Sequence, residues 1–170
     1  MKINIIGFFI VLIFFSSCEK ERVYVGTVAV SDSYTGEFID SLLMQHKSQH
    51  NNDIDPDEKL TCQFSQDFPN AKGVDWEASR SIFEVEFEIS NIDYKAYYDK
   101  QPKLILYKYE IEEKNLPAVV KNTCVARYPD YNFKDIIKIH KGAEVIYQVE
   151  LERNDIEVTI ILKKDGTVSF

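Results

Sequence analysis

Between residues 81 and 98 apolar and polar side chains alternate with a period of two. Phe83, Val85, Phe87 and Ile89 are separated by Glu84, Glu86 and Glu88, and beyond Ser90-Asn91 the alternation resumes as Tyr94, Ala96 and Tyr98. This is the period of a strand with one dry and one wet face, and two such runs across a short polar turn predict a β-hairpin. A two-residue turn sets Phe87 opposite Tyr94, Val85 opposite Ala96 and Glu86 opposite Lys95, an apolar ladder inside and a charge pair outside. Glu88 then opposes Asp93, a mild like-charge conflict.

The pattern returns 64 residues later: Phe83, Val85 and Phe87 match Tyr147, Val149 and Leu151, and Tyr94, Ala96 and Tyr98 match Val158, Ile160 and Leu162. Upstream, residues 57–68 place Leu60, Phe64 and Phe68 on one helical face. Residues 116–128 do the same with Leu116, Val120, Cys124 and Tyr128, at an offset of 60. Pro69 and Pro129 close the two helices. The rise in offset predicts a connection four residues longer after the second helix. Each unit reads as helix, strand, hairpin and last strand: residues 57–68, 71–77, 81–98 and 103–109, then 116–128, 132–140, 145–163 and 168–170. Asp165-Gly166 is a hairpin-turn signal. The expected fold is α+β, a tandem repeat (56–110 and 116–170) forming one roughly eight-stranded antiparallel sheet with two helices on one face.

The first 17 residues look like a targeting segment. Lys2 gives a positive start, and residues 3–15 are an apolar run broken only by Asn4 and Gly7. A spanning helix needs ~20 apolar residues, so the run fits a signal-peptide core better. It ends in Phe15-Ser16-Ser17-Cys18, which resembles a bacterial lipobox, with Phe15 where Leu is usual. The resemblance implies lipidation of Cys18 and a stable anchor from two or three acyl chains. The alternative is an ordinary secreted protein in which Cys18 is a bystander. Residues 19–22 (Glu, Lys, Glu, Arg) are weakly similar to an outer-surface export signal, and no Asp follows the cysteine, which points to the outer membrane. Residues 18–55 read as a tether with partial local order: 23–30 as a short strand weakened by Gly26, and 39–49 as one or two helical turns.

The net charge is -8, and removing residues 1–17, which hold one lysine and no acid, takes it to -9. That argues against nucleic acid and suits a solvated surface or a basic partner. No Gly-rich phosphate loop, Gly-x-Ser-x-Gly or Ser/His/Asp set is present, so no enzyme, cofactor or metal is expected. His46 and His50 have half the spacing of a zinc site but lack its glutamate. Asp53, Asp55 and Asp57 resemble the start of a calcium loop, with Glu58 and Phe64 where Gly and Glu are required. Both fit solvated polar runs better. His140 is expected as an exposed turn histidine. Cys62 sits about 200° around its helix from Leu60 at 100° per residue, away from the stripe that holds Cys124. Two free thiols are expected.

The segments Phe68-Pro69-Asn70-Ala71-Lys72-Gly73-Val74-Asp75-Trp76-Glu77, 84–89, 94–99, Leu116-Pro117-Ala118-Val119-Val120, Arg127-Tyr128-Pro129-Asp130 and 147–152 resemble the PepSY-like, β-lactamase-inhibitor-like proteins, which are secreted or lipid-anchored in Gram-negative bacteria. The resemblance covers about residues 57–170. It implies the tandem fold of the β-lactamase inhibitor protein, whose concave sheet faces its target, and transfers no inhibitor residue. Ser90-Asn91 stands where the family favours Asn-Gly, and Lys100-Gln101-Pro102-Lys103 replaces its Asp-x-Asn-Gly turn.

The candidate binding face is the one opposite the helices. Glu84, Glu86, Lys95 and Tyr97 are expected there with Gln148, Glu150, Thr159 and Ile161, joined by Tyr107 or Tyr109. Acids mixed with Tyr and Ile on an uncovered sheet suit a docking surface, because Tyr is favoured at interface centres; a plain solvated sheet with scattered aromatics is the alternative. The leading expectation is a lipid-anchored, non-catalytic envelope module binding a protein or envelope component. The alternative is an inhibitor or chaperone of a hydrolase such as a protease or β-lactamase.

Overall fold

The structure, a computed structural model, describes residues 52–79 and 82–169. The elements run β1 (Asn52–Asp53), α1 (Glu58–Asp67), β2 (Lys72–Ser79), β3 (Ile82–Ile89), β4 (Ile92–Asp99) and β5 (Leu104–Glu110). A 3-10 turn (Glu113–Asn115) then leads to α2 (Ala118–Arg127), β6 (Asn132–Lys141), β7 (Glu144–Arg153) and β8 (Ile156–Lys163). All strands lie in one antiparallel sheet in the order of the chain. Seven of them, β2 to β8, are full strands. The expected eighth, at 168–170, is reduced among the described residues to a single bridge between Val168 and Leu162. A two-residue β1 pairs with β2 at the opposite edge instead.

The first hairpin has the expected register, with Phe87 opposite Tyr94, Val85 opposite Ala96, Glu86 opposite Lys95 and Glu88 opposite Asp93. Its turn needs two left-handed residues, supplied by Ser90 (φ 54°) and Asn91 (φ 63°). Asn154 (φ 49°) and Asp155 (φ 63°) do the same between β7 and β8. Such turns twist in the sense of the flanking strands, and Asn and Asp tolerate that conformation.

The two units also agree in detail at their helix ends. Phe68 N–H donates to Phe64 O at 2.8 Å and Tyr128 N–H to Cys124 O at 2.9 Å, with both closing residues near φ -131° to -134°. The extra four residues of the second unit do not lengthen the connection after α2, as the offsets suggested. They add two residue pairs, His140 with Val145 and Lys141 with Glu144, to the β6–β7 hairpin, which turns at Gly142 (φ 58°). Residues inserted in equal numbers on both sides of a hairpin leave the facing of every other residue unchanged.

Helix α1 seats Leu60, Phe64 and Phe68 on Trp76, Val85, Phe87, Ala96 and Tyr98. Helix α2 seats Val120 and Cys124, preceded by Leu116, on Ile136, Val149, Leu151, Ile160 and Leu162. Both helices lie on one face of the sheet. Asp57, the last of the three aspartates that resemble a calcium loop, caps α1 by accepting from Leu60 N–H at 2.8 Å. Residues 1–51, including the expected signal segment, Cys18, His46, His50 and most of the expected tether, lie outside the described residues.

Candidate functional site

Cross-strand partners share a face, so the registers decide which side chains meet opposite the helices. Glu84, Glu86 and Lys95 do, and Lys95 Nζ bridges both carboxylates, Glu84 at 3.2 Å and Glu86 more closely. In the second repeat Gln148 opposes Ile161 and Glu150 opposes Thr159 on the same face. There Lys134 Nζ bridges Glu150 at 2.7 Å and Glu157 at 2.5 Å. Tyr97 is on this face too, with Lys108 Nζ over its ring at 5.5 Å. Burial, with Glu84 beside it, holds the Tyr97 phenol well above the usual tyrosine range.

Tyr107 is not on this face. It opposes Ala96, and Tyr109 opposes Tyr94, both of which point toward the helices. A register irregularity between Tyr97 and Tyr98 precedes these pairs, and strand alternation then places Lys108 on the far face. Tyr107 instead packs edge-on against Phe68, with ring centroids 5.4 Å apart. It stacks on His140 at 4.6 Å, and Tyr109 stacks on the same imidazole at 5.9 Å. His140 is therefore not an exposed turn histidine. It is half-buried at the junction of the repeats, and its Nε2 has no hydrogen-bond partner among the described residues. Burial, with Lys138 nearby, pushes its pKa down to about 4.

The face away from the helices is divided. Toward the Ser79, Asp99 and Lys141 ends of the strands it is apolar: Ile82, Tyr97, Ile105, Leu106, Ile139 and Ile146 form a third cluster, with Ile137 and Ile161 packed against it. Tyr97 and Gln148 are each only 5% exposed, so these two candidates are buried, unlike the solvated positions expected. Toward the Ser90 and Asn154 turns the sheet forms a concavity of about 680 Å³ that crosses β2 to β7. Asp75, Glu86, Glu88 and Asp93 line it from the first repeat, and Asp135 and Glu150 from the second, with Glu110 between them. Among the described lining residues Lys95 and Lys108 are the only basic ones, and burial lowers the pKa of Lys108. Seven carboxylates against two ammonium groups make the hollow attractive to cations and basic groups.

Sequence reasoning did not place Asp75, Glu88, Asp93, Glu110, Asp135 or Lys108 on the binding face. The repeat carried a signal for Asp75 and Asp135, which occupy matching positions at the offset of 60 and sit where both β2–β3 and β6–β7 shift register. Nothing comparable marked Lys108, whose facing depends on how β4 and β5 pair.

Among the described residues no group of three or more His, Cys, Asp or Glu side chains is placed to hold a metal ion. Cys124 is a buried free thiol whose pKa burial raises. Cys62 is disulfide-bonded, so the expectation of two free thiols fails for it. Helix angle separated Cys62 from Cys124 alone and said nothing about any other partner.

The fold is that of β-lactamase-inhibitor-like proteins. A BLIP-like protein from Bacteroides fragilis superposes with a TM-score of 0.62 at 16% identity, covering 69% of this chain and 85% of its own. A DUF2874 family protein from Bacteroides uniformis gives 0.62 at 18% identity, with 66% and 86% covered. A Bacteroides eggerthii protein provisionally described as periplasmic gives 0.62 at 13% identity, with 68% and 86% covered. No family model and no curated protein matches the sequence.

Proposed function

We propose that this chain is a lipid-anchored, non-catalytic binding module of the cell envelope, PepSY-like in family, that receives a basic segment of a protein or envelope component in its acid-lined hollow. The observation that carries this reading is the hollow itself, about 680 Å³ with carboxylates contributed by both repeats. A concave sheet with matched acids from two units offers a cationic strand or loop contacts along its whole length, and charge of one sign speeds encounter. The targeting run and Cys18 would supply the anchor, and the absence of Asp after the cysteine favours the outer membrane. Because the sequence holds three cysteines and Cys124 is a free thiol, acylation of the Cys18 sulfur requires that Cys62 be bonded to a thiol of another molecule.

Crosslinking in intact cells followed by mass spectrometry identifies the partner. Glu86→Lys combined with Glu150→Lys should reduce its recovery at least ~10-fold, while the melting temperature moves little, since partly exposed ion pairs contribute at most ~1 kcal/mol. Equal recovery from wild type and variant would sink the reading. Cys18→Ser should move the protein from the detergent phase to the aqueous phase, and a wild-type chain already wholly aqueous would remove the anchor.

A second reading, an inhibitor or chaperone of a secreted hydrolase, is favoured by the concave sheet in a β-lactamase-inhibitor-like fold. Assays against secreted proteases and β-lactamases decide it, and no inhibition at micromolar concentration would end it.

A further inference from the structure

Both described helices pack on one face of the sheet, yet the opposite face also carries a core. Ile139 and Leu106 are 0% exposed, Ile105 1%, and Ile82, Tyr97 and Ile146 below a tenth. These side chains come from β3, β4, β5, β6 and β7, so the dry patch runs across five neighbouring strands. An antiparallel sheet with one bare face alternates buried and wetted positions, and side chains on the bare face meet water. Neither described helix lies on this patch. The 3-10 turn sits beside α2, where Lys121 pairs with Glu113 at 2.5 Å. The C-terminal turn at Gly166 also lies against α2, within reach of Val119 and Thr123.

We propose that residues 23–51 of this same chain lie across that apolar half-face and form its cover. The chain reaches the described fold at the right place: β1 begins with Asn52 opposite Ala78, next to the Ser79–Ile82 pair that opens the patch. Length is sufficient. From β3 to β7 is four strand spacings, roughly 19 Å at ~4.8 Å each, which ~6 extended residues or ~13 helical ones cross. Composition fits as well. Val23, Tyr24, Val25, Val28 and Val30 form an apolar run, and Phe38, Ile39, Leu42 and Leu43 fall at helical spacing on one stripe. Asp32, Glu37 and Asp40 bring acids to a face where Lys108 is the part-buried cation with a depressed pKa. The similar solved structures match 66–69% of this chain.

The far face is then two regions. One half is occupied by the chain's own N-terminal arm, and the acid-lined half stays free. This inference does not rest on any partner for the hollow.

Hydrogen exchange on the purified full-length chain tests it without a substitution. Peptides within residues 23–45 should exchange at least ~10-fold more slowly than an unstructured chain. Exchange at the unprotected rate throughout would overturn the proposal. A benzophenone amino acid in place of Ile161, at the margin of the patch, should crosslink within one chain to residues 23–51, at a yield independent of protein concentration. In place of Thr159, on the exposed side, it should not. A crosslinked dimer would make a second copy the cover, and crosslinks confined to residues 52–170 would show that the sheet closes on itself; either result overturns the assignment.

Discussion

The two halves of the sheet bury matching positions with different chemistry. Phe64, Phe87, Trp76 and Tyr98 in the first unit correspond to Cys124, Leu151, Ile136 and Leu162 in the second. The first core is aromatic, with Phe64 in edge-on contact with Trp76 at 5.3 Å and with Phe87 at 5.0 Å. The second is mainly aliphatic, with Tyr147 the one aromatic ring among its buried side chains. Volume is exchanged between diagonal neighbours: Phe87 with Ala96 becomes Leu151 with Ile160, which keeps the layer filled. A polar contact is exchanged too. Tyr98 Oη donates to Asp67 at 2.8 Å in the first half, whereas the matching pair is Leu162 and Arg127. Spacing and facing are thus what the repeat preserves, and the identity of each filler is negotiable so long as its neighbours compensate.

The largest test of that contrast is truncation at the matched helix position. Phe64→Ala should cost ~3–5 kcal/mol in urea unfolding, and Cys124→Ala ~1 kcal/mol. Equal costs would mean that the aromatic cluster contributes no more than the thiol it matches. The exchange of volume can be examined directly: Phe87→Leu and Ala96→Ile should each destabilise, and the double variant should be more stable than their sum by ~0.5–3 kcal/mol.

A smaller effect separates the final turns of the two units. Gly166 has φ 83°, and a Cβ there would stand 2.9 Å from Val119 Cγ2 and 3.0 Å from Thr123 Oγ1. Gly166→Val should therefore cost ~1–3 kcal/mol, because backbone strain adds to the clash with α2. The matching turn in the first unit is held differently, by Asp99 Oδ1 accepting from Gln101 N–H at 2.7 Å and Lys103 N–H at 3.0 Å. Asp99→Ala should cost ~1 kcal/mol. A thermal melt of each variant ranks the two, and the reverse order would show that the helix contact is unimportant.

The last effect depends on pH and concerns His140, which belongs to the two extra pairs and has no counterpart in the first half. Its pKa falls from 6.5 to about 4 on folding. The unfolded chain therefore binds the proton more readily, and the stabilisation is complete above pH 6.5 and lost as pH drops through 4. Between pH 7 and 4, wild type should lose ~1–2 kcal/mol that His140→Asn does not, allowing for solvent at a half-buried group. Parallel pH profiles would mean that the imidazole is accessible to protons in the folded state.

Much of this arrangement was legible in the chain. Alternation through Phe83–Ile89 and Tyr94–Tyr98 fixed the hairpin register to the residue, because a one-residue slip would have turned every Phe and Val toward the wrong face. The misreadings share a cause. Tyr107, His140 and Lys108 lie in strands that meet at the junction of the units, where facing depends on pairing between segments far apart in sequence. Polar residues at Tyr97 and Gln148 looked solvated because the run around them alternates; Tyr97 is buried in a cluster with Leu106, its partner on β5, and Gln148 lies between Ile137 and Ile161 of the strands on either side, neighbours that local periodicity does not reach.

Local pattern alone determined the repeat, the hairpins and the face each helix buries, since those follow from side-chain period and from turns only certain residues can make. Tertiary structure decided how the two units meet, that their far face is half dry and half acidic, and that an imidazole stacks between tyrosines at the seam. Those features arise where strands separated by tens of residues are brought edge to edge. A sequence records such neighbours only after folding has chosen them.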